Sequence, residues 1–442
     1  MQTMADFSQK PRELLTHGWL YLATLAKWLA VAAVTGVLCG ALGTAFHVGV
    51  ERATALRGAH SRLVLCLPLA GLAIVALYKA TRTEGQGTDN IIEAVHNGKN
   101  LSPWLLPVIF AATMLTHLCG GSAGREGAAL QMGGDIGCYI GRLFHLDDRD
   151  MRVAILCGMA AFFSALFGTP LAASLFAIEV ISVGVFYHAA FIPSLTAALV
   201  AYGISVWLGV PATRFTVQSP ALSAPMFVRV AALGALCAML SILFCNVLHL
   251  AEKGLRRALP NPWLRVAAGG AAVALLSLLC GTQDYNGAGM TVLTSAVEQG
   301  DARPWAFALK LLFTALTLGS GYKGGEVVPS FFVGATFGCV AGSLLGIPAG
   351  FGAALGLIGV FCGAVNCPVA SLILSVELFG SDGILYFAAV CGLSYMLSGY
   401  NGLYSSQTIL YSKLKAQYIN VHTNHHHAGE PTDAMPDPPK LP

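Results

Sequence analysis

Long apolar runs recur along this sequence, and they constrain its fold more than any other feature. The runs cover residues 19–46, 63–78, 104–118, 153–167, 186–208, 228–248, 266–280, 307–318, 331–345 and 384–397. A helix needs about 20 apolar residues to cross the bilayer core, so some runs can span it and others are too short to cross upright. Only 11% of the residues are charged, against about 25% in soluble domains. The sequence therefore predicts an integral membrane protein.

Glycine interrupts many of the apolar runs, with 50 glycines in 442 residues. Short and broken apolar segments are typical of transporters whose helices end inside the membrane. We expect an all-α, polytopic membrane protein with broken and short helices. The net charge of +3 includes no basic cluster, so no nucleic-acid partner is expected. No cofactor or metal site is predicted either, because the cysteines lack metal-ligand spacing.

One stretch, GGSAGREGAALQMGG from Gly120 to Gly134, places Arg125 and Glu126 in glycine-rich backbone between apolar runs. A carboxylate at bilayer depth is costly, so the default interpretation is ion or proton handling. The alternative is that the two side chains only pair with each other in a surface loop.

A second polar stretch follows the second apolar run. GQGTDNIIEAVHNG begins at Gly85 with a Gly-x-Gly turn and continues as a short helical pattern through Ile91, Ile92 and Val95. Glycines allow backbone N–H groups to converge, and a helix start concentrates partial positive charge where an anion can sit. A plain turn is the alternative, because an isolated Gly-x-Gly is a weak signal.

Three landmarks of the first half recur in the second half in the same order. GQGTDNIIEAV at Gly85 resembles GAGMTVLTSAV at Gly287 (287 − 85 = 202). GREG with Glu126 resembles GGEV with Glu326 (326 − 126 = 200). PLAASLFAIE at Pro170 resembles PVASLILSVE at position 368 (368 − 170 = 198). Membrane repeats of this kind often have inverted topology, with the binding site between them near the midplane. We therefore expect the matched glycine turns and acids to meet at one place.

The repeat sets the predicted domain organisation. It comprises a cytoplasmic N-terminus at 1–16, membrane repeats at 17–215 and 216–417, and a disordered tail at 418–442. The stretch after Leu403 has an amphipathic pattern with Lys413 and Lys415, which predicts a helix on the cytoplasmic side. The tail has the composition of disorder. Its His triplet at His425 could bind a metal weakly, but an unstructured tail is favoured.

The motifs, taken in order, resemble those of the CLC family of chloride channels and chloride/proton exchangers. The resemblance is carried by GQGTD at Gly85, GREGA at Gly124, GGEVVP at Gly324 and Tyr404 in GLYSS. It covers about residues 17–417. It implies an all-helical homodimer in the membrane, with one anion pathway in each subunit.

The resemblance also implies roles for particular residues. Glu126 takes the position of the gating acid, which competes with the anion and carries the proton. Gln86 stands where the family has a coordinating serine, and Tyr404 where it has a coordinating tyrosine. The remaining anion-binding residues, which contribute backbone groups, are Gly87, Gly127, Ala128, Val327 and Val328.

Departures from the family pattern indicate a different anion. Gln86 replaces the serine, Ala128 replaces the proline of GREGP, and Glu326 stands where chloride proteins have an apolar residue. Fluoride is strongly hydrated and needs strong hydrogen-bond donors, which a protonated carboxyl supplies. Burial favours the protonated form of a carboxyl. The combination is similar to the fluoride/proton antiporter branch of the family.

We therefore expect a fluoride/proton antiporter of the inner membrane that confers fluoride resistance. Protonated Glu126 would swing between the anion path and an outer position. Glu326 would supply the inner proton stop, because Val180 stands where exchangers have their internal glutamate. Alternatives remain for single residues. Glu326 could be a structural acid that caps the N-terminus of a neighbouring helix, Gln86 a simple turn residue, and His117 a core histidine rather than a proton relay.

Two other functions compete with this interpretation. A chloride/proton exchanger or passive chloride channel would carry the same motifs in modified form. A membrane enzyme could use Glu126 and Glu326 as an acid/base pair. The sequence favours transport over catalysis, because both acids lie in matched, glycine-flanked positions without a nucleophile or metal-ligand set.

Overall fold

The computed structural model describes residues 5–97, 101–415 and 417–424, and it is mainly helical. The helices of the first half are α1 (Ala5–Ala59), α2 (Leu67–Ala80), α3 (Thr88–Asn97), α4 (Leu105–Leu118), α5 (Glu126–Leu143), α6 (Asp148–Phe167), α7 (Pro170–Glu179) and α8 (Phe191–Trp207). Single 3₁₀ turns lie at Ser61–Cys66 and His188–Ala190.

The second half follows the same order of elements. Its helices are α9 (Ala224–Ala258), α10 (Pro262–Cys280), α11 (Met290–Thr294), α12 (Ala306–Ser320), α13 (Val327–Leu344), α14 (Ala349–Val365), α15 (Pro368–Phe379) and α16 (Ile384–Leu397), with a π turn at Ser295–Gln299. The starts of α5 and α13 differ by 327 − 126 = 201 positions, and those of α6 and α14 by 349 − 148 = 201. Helix order and spacing thus match the offset between the sequence landmarks.

The observed helix lengths agree with the predicted fold class. Within the residues that the structure describes, 7 helical segments are long and apolar enough to cross a membrane, judged by length and composition. Six further apolar helices have only 10–17 residues. The expectation of a polytopic, all-α membrane protein with short and broken helices is confirmed.

Glycines bring two pairs of buried helices into close contact. A Cβ added to Gly133 of α5 would collide with the backbone carbonyl of Gly158 of α6. A Cβ on Gly334 of α13 would collide in the same way with Gly356 of α14. Small residues allow membrane helices to approach backbone to backbone. The helix pairs that carry the two glycine/acid motifs are therefore built alike.

Two acids link the halves reciprocally. Glu179, the last residue of α7, accepts hydrogen bonds from the N–H groups of Val369 (3.2 Å) and Ala370 (2.8 Å) at the start of α15. Glu377 of α15 accepts in turn from Leu171 (3.0 Å) and Ala172 (2.8 Å) at the start of α7. A carboxylate at a helix N-terminus is stabilising. This exchange fits a pseudo-two-fold relation between the halves.

The C-terminal segment differs from the sequence-based prediction. The amphipathic helix expected after Leu403 does not form among the described residues there, and Thr408–Tyr411 forms strand β2 instead. Strand β2 pairs in parallel with β1 (Ser182–Val183) and antiparallel with β3 (Tyr418–His422). Pairing with β1, which is distant in sequence, satisfies the backbone here in place of a helix.

The predicted disordered tail at 418–442 is therefore wrong for its first residues. Residues 418–424 belong to β3 and the turn that follows it. The Thr423 hydroxyl donates a hydrogen bond to the Tyr404 carbonyl (2.5 Å), which ties the tail to the membrane part. Residues 425–442, with the His triplet, lie outside the described residues.

Candidate functional site

The two glycine/acid motifs meet at an antiparallel backbone bridge. Gly124 donates its N–H to the Gly325 carbonyl (2.7 Å), and Gly325 donates to the Gly124 carbonyl (2.9 Å). The two glycines differ by 325 − 124 = 201 positions, which is the offset of the repeat. The bridge brings together the N-termini of α5 and α13, each of which carries partial positive charge. The expectation that the matched acids meet is confirmed for this pair of motifs.

Glu126 is the first residue of α5 and is completely buried. Its Oε2 accepts a hydrogen bond from the backbone N–H of Val328 in the first turn of α13 (3.2 Å). Its Oε1 has no protein partner among the described residues. A Cβ on Gly325 would lie 2.9 Å from Oε2, so glycine is needed to leave room for the carboxyl. The acid of one repeat thus occupies the helix N-terminus of the other.

Glu326 occupies the N-cap position of α13, but its side chain makes no capping hydrogen bond. The side chain instead lines a cavity of about 360 Å³, and its Oε2 has no partner within the described part of the chain. A structural cap would direct its oxygen to the first-turn N–H groups. The geometry therefore disfavours the capping interpretation and leaves the carboxyl facing the cavity.

Tyr404 lines the same cavity and is only 3% exposed. Its hydroxyl is buried without a partner in the residues described, although its backbone carbonyl accepts from Thr423 (2.5 Å) and from the Gln407 N–H (3.1 Å). A buried hydroxyl usually has a hydrogen-bond partner. The Tyr404 hydroxyl is therefore a donor available to a small anion.

The Gly85 turn also lines the cavity, but two of its backbone donors are already used. The Gln86 N–H donates to the Thr83 carbonyl (3.2 Å), and the Gly87 N–H donates to Asn90 Oδ1 (2.8 Å). The Gln86 side-chain oxygen, in contrast, is buried, and no described residue bonds to it. The Gly87 N–H is therefore not free for an anion as the sequence suggested. The unpartnered Gln86 oxygen is a hydrogen-bond acceptor, which an anion cannot use.

The remaining predicted residues form the first turns of the facing helices. All of them are buried, namely Gly127 and Ala128 of α5 and Val327 and Val328 of α13. First-turn N–H groups have no intrahelical acceptor. The Val328 N–H already binds Glu126, which shows that the facing helix start accommodates a carboxyl oxygen. An anion at this place would compete with the carboxylate of Glu126.

The position of Val180 carries no acid, as the sequence indicated. Val180 is fully buried, and its carbonyl accepts from Gln407 Nε2 (3.0 Å). The adjacent Glu179 uses both carboxylate oxygens to cap α15. Neither residue lines the cavity that holds Glu326.

A buried basic cluster near the motifs was missed by the sequence analysis. Lys310 of α12 is fully buried and donates to the carbonyls of Tyr285 (3.1 Å) and Gly287 (2.5 Å). Arg57 donates to the His117 carbonyl (3.0 Å). A lysine inside the apolar run 307–318 was the available signal, because a charge in such a run is rare.

His117 is fully buried beside the central bridge. Its Nε2 lies 3.2 Å from the Gly124 carbonyl, within hydrogen-bond distance, and its Nδ1 has no partner in the described ranges. One ring nitrogen thus contacts the bridge segment that leads to Glu126. The contact is compatible with the core-histidine interpretation, and the relay interpretation stays a prediction.

Comparison with known proteins gives consistent matches along the membrane region. A family model described as voltage gated chloride channel matches residues 70–399. A chloride/fluoride channel protein from Pseudomonas syringae pv. tomato is 33% identical over 401 residues, covering 89% of this chain and 88% of the relative. An H(+)/Cl(-) exchange transporter, ClcA, from Vibrio vulnificus is 27% identical over 424 residues, covering 86% and 89%.

Solved structures show the same likeness. The crystal structure of a CLC-type fluoride/proton antiporter matches with a TM-score of 0.84 and 33% identity, covering 87% of this chain and 98% of that one. A slow cyanobacterial Cl-/H+ antiporter matches with a TM-score of 0.73 and 20% identity, covering 84% and 94%. At that lower identity the likeness extends to the fold alone.

Proposed function

The chain belongs to the voltage-gated chloride channel (CLC) family, and we propose that it exchanges outward-moving fluoride for inward-moving protons across the inner membrane. The observation that carries the proposal is the position of Glu326, whose carboxyl lies on the cavity wall and does not cap its helix. Its motif meets the Glu126 motif at the Gly124–Gly325 bridge. The likeness to a chloride/fluoride channel protein and to a fluoride/proton antiporter supports it.

Three side chains carry buried oxygens that have no partner among the described residues and that donate a hydrogen bond when they hold a proton. They are Glu126, Glu326 and Tyr404. A protonated carboxyl and a phenol donate hydrogen bonds, and fluoride requires strong donors to replace its water. Unlike a fixed full positive charge in the path, donors of this kind need not trap the ion. The site is therefore suited to a small, strongly hydrated anion.

Glu126 acts as the exchanging gate in this proposal. Its carboxylate holds the Val328 N–H (3.2 Å) and thereby occupies a helix N-terminus that an anion would use. Protonation weakens this interaction, because a neutral carboxyl is a poorer acceptor. The protonated side chain then leaves, and fluoride takes its place. Alternation of proton and anion at one place couples their movements.

Glu326 serves as the inner proton stop. It faces the cavity, whereas Val180 carries no acid and Glu179 is engaged as a helix cap. Protons from the cavity would therefore reach Glu126 through Glu326. The proposal includes a homodimer with one pathway per subunit and fluoride resistance for the cell.

Flux from liposomes tests the proposed function. Purified protein should release fluoride much faster than chloride and should drive protons uphill against it. Glu126→Gln should abolish proton movement, while Asp148→Asn, at an exposed acid of α6, should behave like the wild-type protein. Equal chloride flux without proton coupling would favour a passive chloride channel, and coupled chloride flux would favour a chloride/proton exchanger. Proton movement retained in Glu126→Gln would contradict the gate assignment.

A further inference from the structure

We propose that Asp89 is a positioning residue that holds the Tyr404 turn against the Gln86 turn and so sets the affinity of the site for its anion. Asp89 is the second residue of α3, and its Oδ1 accepts two hydrogen bonds from Ser406. The donors are the Ser406 backbone N–H (2.9 Å) and its hydroxyl (2.6 Å). The inference rests on the proposed function.

The clamp joins the turns that carry Gln86 and Tyr404, two cavity-lining residues that are distant in sequence. Gln86 and Tyr404 are 404 − 86 = 318 positions apart. Asp89 follows Gln86 by three positions, and Ser406 follows Tyr404 by two. Hydrogen bonds between Asp89 and Ser406 thus fix the backbone on both sides of the cavity at short range from each of these residues. Such short, charge-assisted bonds are among the stronger ones in proteins.

The side chains themselves depend on their backbones for position. Gln86 Oε1 and the Tyr404 hydroxyl both lack a partner in the described part of the protein. Tyr404 is anchored through its carbonyl to Thr423 and Gln407, which belong to its own C-terminal segment. Those bonds do not relate Tyr404 to α3, whereas the Asp89–Ser406 pair does. Small displacements of ligand groups lower affinity steeply for a small ion.

The variants Asp89→Ala, Asp89→Asn and Ser406→Ala separate positioning from charge. Fluoride efflux from liposomes that contain the full chain is measured over a range of sodium fluoride concentrations. Asp89→Ala is expected to raise the half-saturating fluoride concentration about tenfold, as for loss of a charged hydrogen bond. Asp89→Asn keeps the acceptor oxygen and should stay within about twofold. Ser406→Ala retains the backbone donor and should fall between the two.

A double-mutant cycle with Tyr404→Phe distinguishes positioning of Tyr404 from a general structural role. The quantity compared is the half-saturating fluoride concentration. If Asp89 acts through Tyr404, Asp89→Ala should add little to the shift that Tyr404→Phe already causes. Independent, multiplying effects on the half-saturating concentration would overturn the inference. So would an unchanged half-saturating concentration in Asp89→Ala.

The proposed function and this inference fail in distinguishable ways. Absence of fluoride transport in the wild-type protein would reject the proposed function. Fluoride transport by the wild-type protein, with a normal half-saturating concentration in Asp89→Ala, would reject the clamp alone. If Asp89→Ala does not fold, Ser406→Ala and its cycle with Tyr404→Phe decide: non-additive shifts support the clamp, and no shift or independent shifts overturn it.

Discussion

The two Gly-x-Gly turns began as copies of one motif but have different surroundings. Gly85 and Gly87 border the cavity, and a Cβ added to either would meet no described atom within 4 Å. Gly287 and Gly289 are enclosed, with added Cβ atoms 2.8 Å from Arg57 Nη1 and 2.7 Å from Phe332 Cδ2 respectively. One turn therefore borders the open cavity, and the other is part of the packed scaffold.

Hydrogen bonds hold the second turn in place. The Gly287 N–H donates to the Gly121 carbonyl (3.0 Å), and Lys310 donates to the Gly287 carbonyl (2.5 Å). Asn286 Nδ2 donates to the Gly120 carbonyl (2.6 Å). The second turn thus supports the segment that leads to Glu126. Duplication thus supplies matched positions, while neighbouring side chains decide which copy lines the cavity.

The acids show the same division. Glu126 is buried against the Val328 N–H, whereas its repeat counterpart Glu326 lies on the cavity wall. In contrast, Glu179 and Glu377 have kept equivalent roles, since each caps the other's helix. The matched acids near the cavity, Glu126 and Glu326, thus have different contacts, whereas the matched acids at the helix caps have the same contacts.

Removal of the Lys310 amino group should destabilise the packed second turn and cause the largest loss of stability among these variants. Lys310→Met leaves the Tyr285 and Gly287 carbonyls buried without their donor. Each unsatisfied carbonyl costs about 1–3 kcal/mol, so the free energy of unfolding should fall by roughly 3 kcal/mol or more. Thermal unfolding in detergent measures this change. Lys253→Met, at an exposed lysine of α9, is the control, and an equally stable Lys310→Met would contradict the scaffold role.

Alanine substitutions at matched glycines should show directly that one turn is packed and the other open. Gly289 has φ +75° and contacts Phe332, so Gly289→Ala should destabilise the protein by about 2–4 kcal/mol. Its counterpart is Gly87 (289 − 87 = 202), where open space surrounds the added methyl. Gly87→Ala should cost less than about 1 kcal/mol. Denaturation of both variants measures the difference, and similar losses would show that the turns are not divided as described.

Substitutions at the two helix-capping acids should cause the smallest losses of stability, and the two losses should be similar. Glu179→Gln and Glu377→Gln each remove one of two accepted N–H bonds, which should cost about 1 kcal/mol in either variant. Thermal shifts of the two variants should therefore agree. Glu179→Gln should also keep its proton coupling in liposomes. Loss of coupling in that variant alone would mean that Glu179 has a transport role.

Much of the site could be predicted because the repeat encodes it. The offset of about two hundred positions between Glu126 and Glu326 indicated that their motifs meet, and the Gly124–Gly325 bridge is the physical form of that match. Gln86 and Tyr404 were implied by the resemblance to the CLC motifs rather than by the repeat, and both line the cavity. Short-range patterns were sufficient where the repeat fixed the long-range pairing.

Other features depended on contacts that no local pattern contains. The segment at Thr408–Tyr411 has an amphipathic helical pattern, but pairing with Ser182–Val183 makes it a strand. The Gly87 N–H was expected to face the anion, yet Asn90 three positions later accepts it. Lys310 could be recognised as unusual, but its carbonyl partners depend on how the second glycine turn folds back.

The most direct test of the two-carboxylate mechanism is simultaneous measurement of fluoride and proton flux for Glu326→Gln in liposomes. Glutamine keeps the volume and polarity of Glu326 but cannot release a proton at this position. The account predicts that fluoride-driven proton movement is lost or reduced at least about tenfold relative to the wild-type protein. Proton flux in Glu326→Gln equal to that of the wild-type protein, at equal fluoride flux, would contradict it.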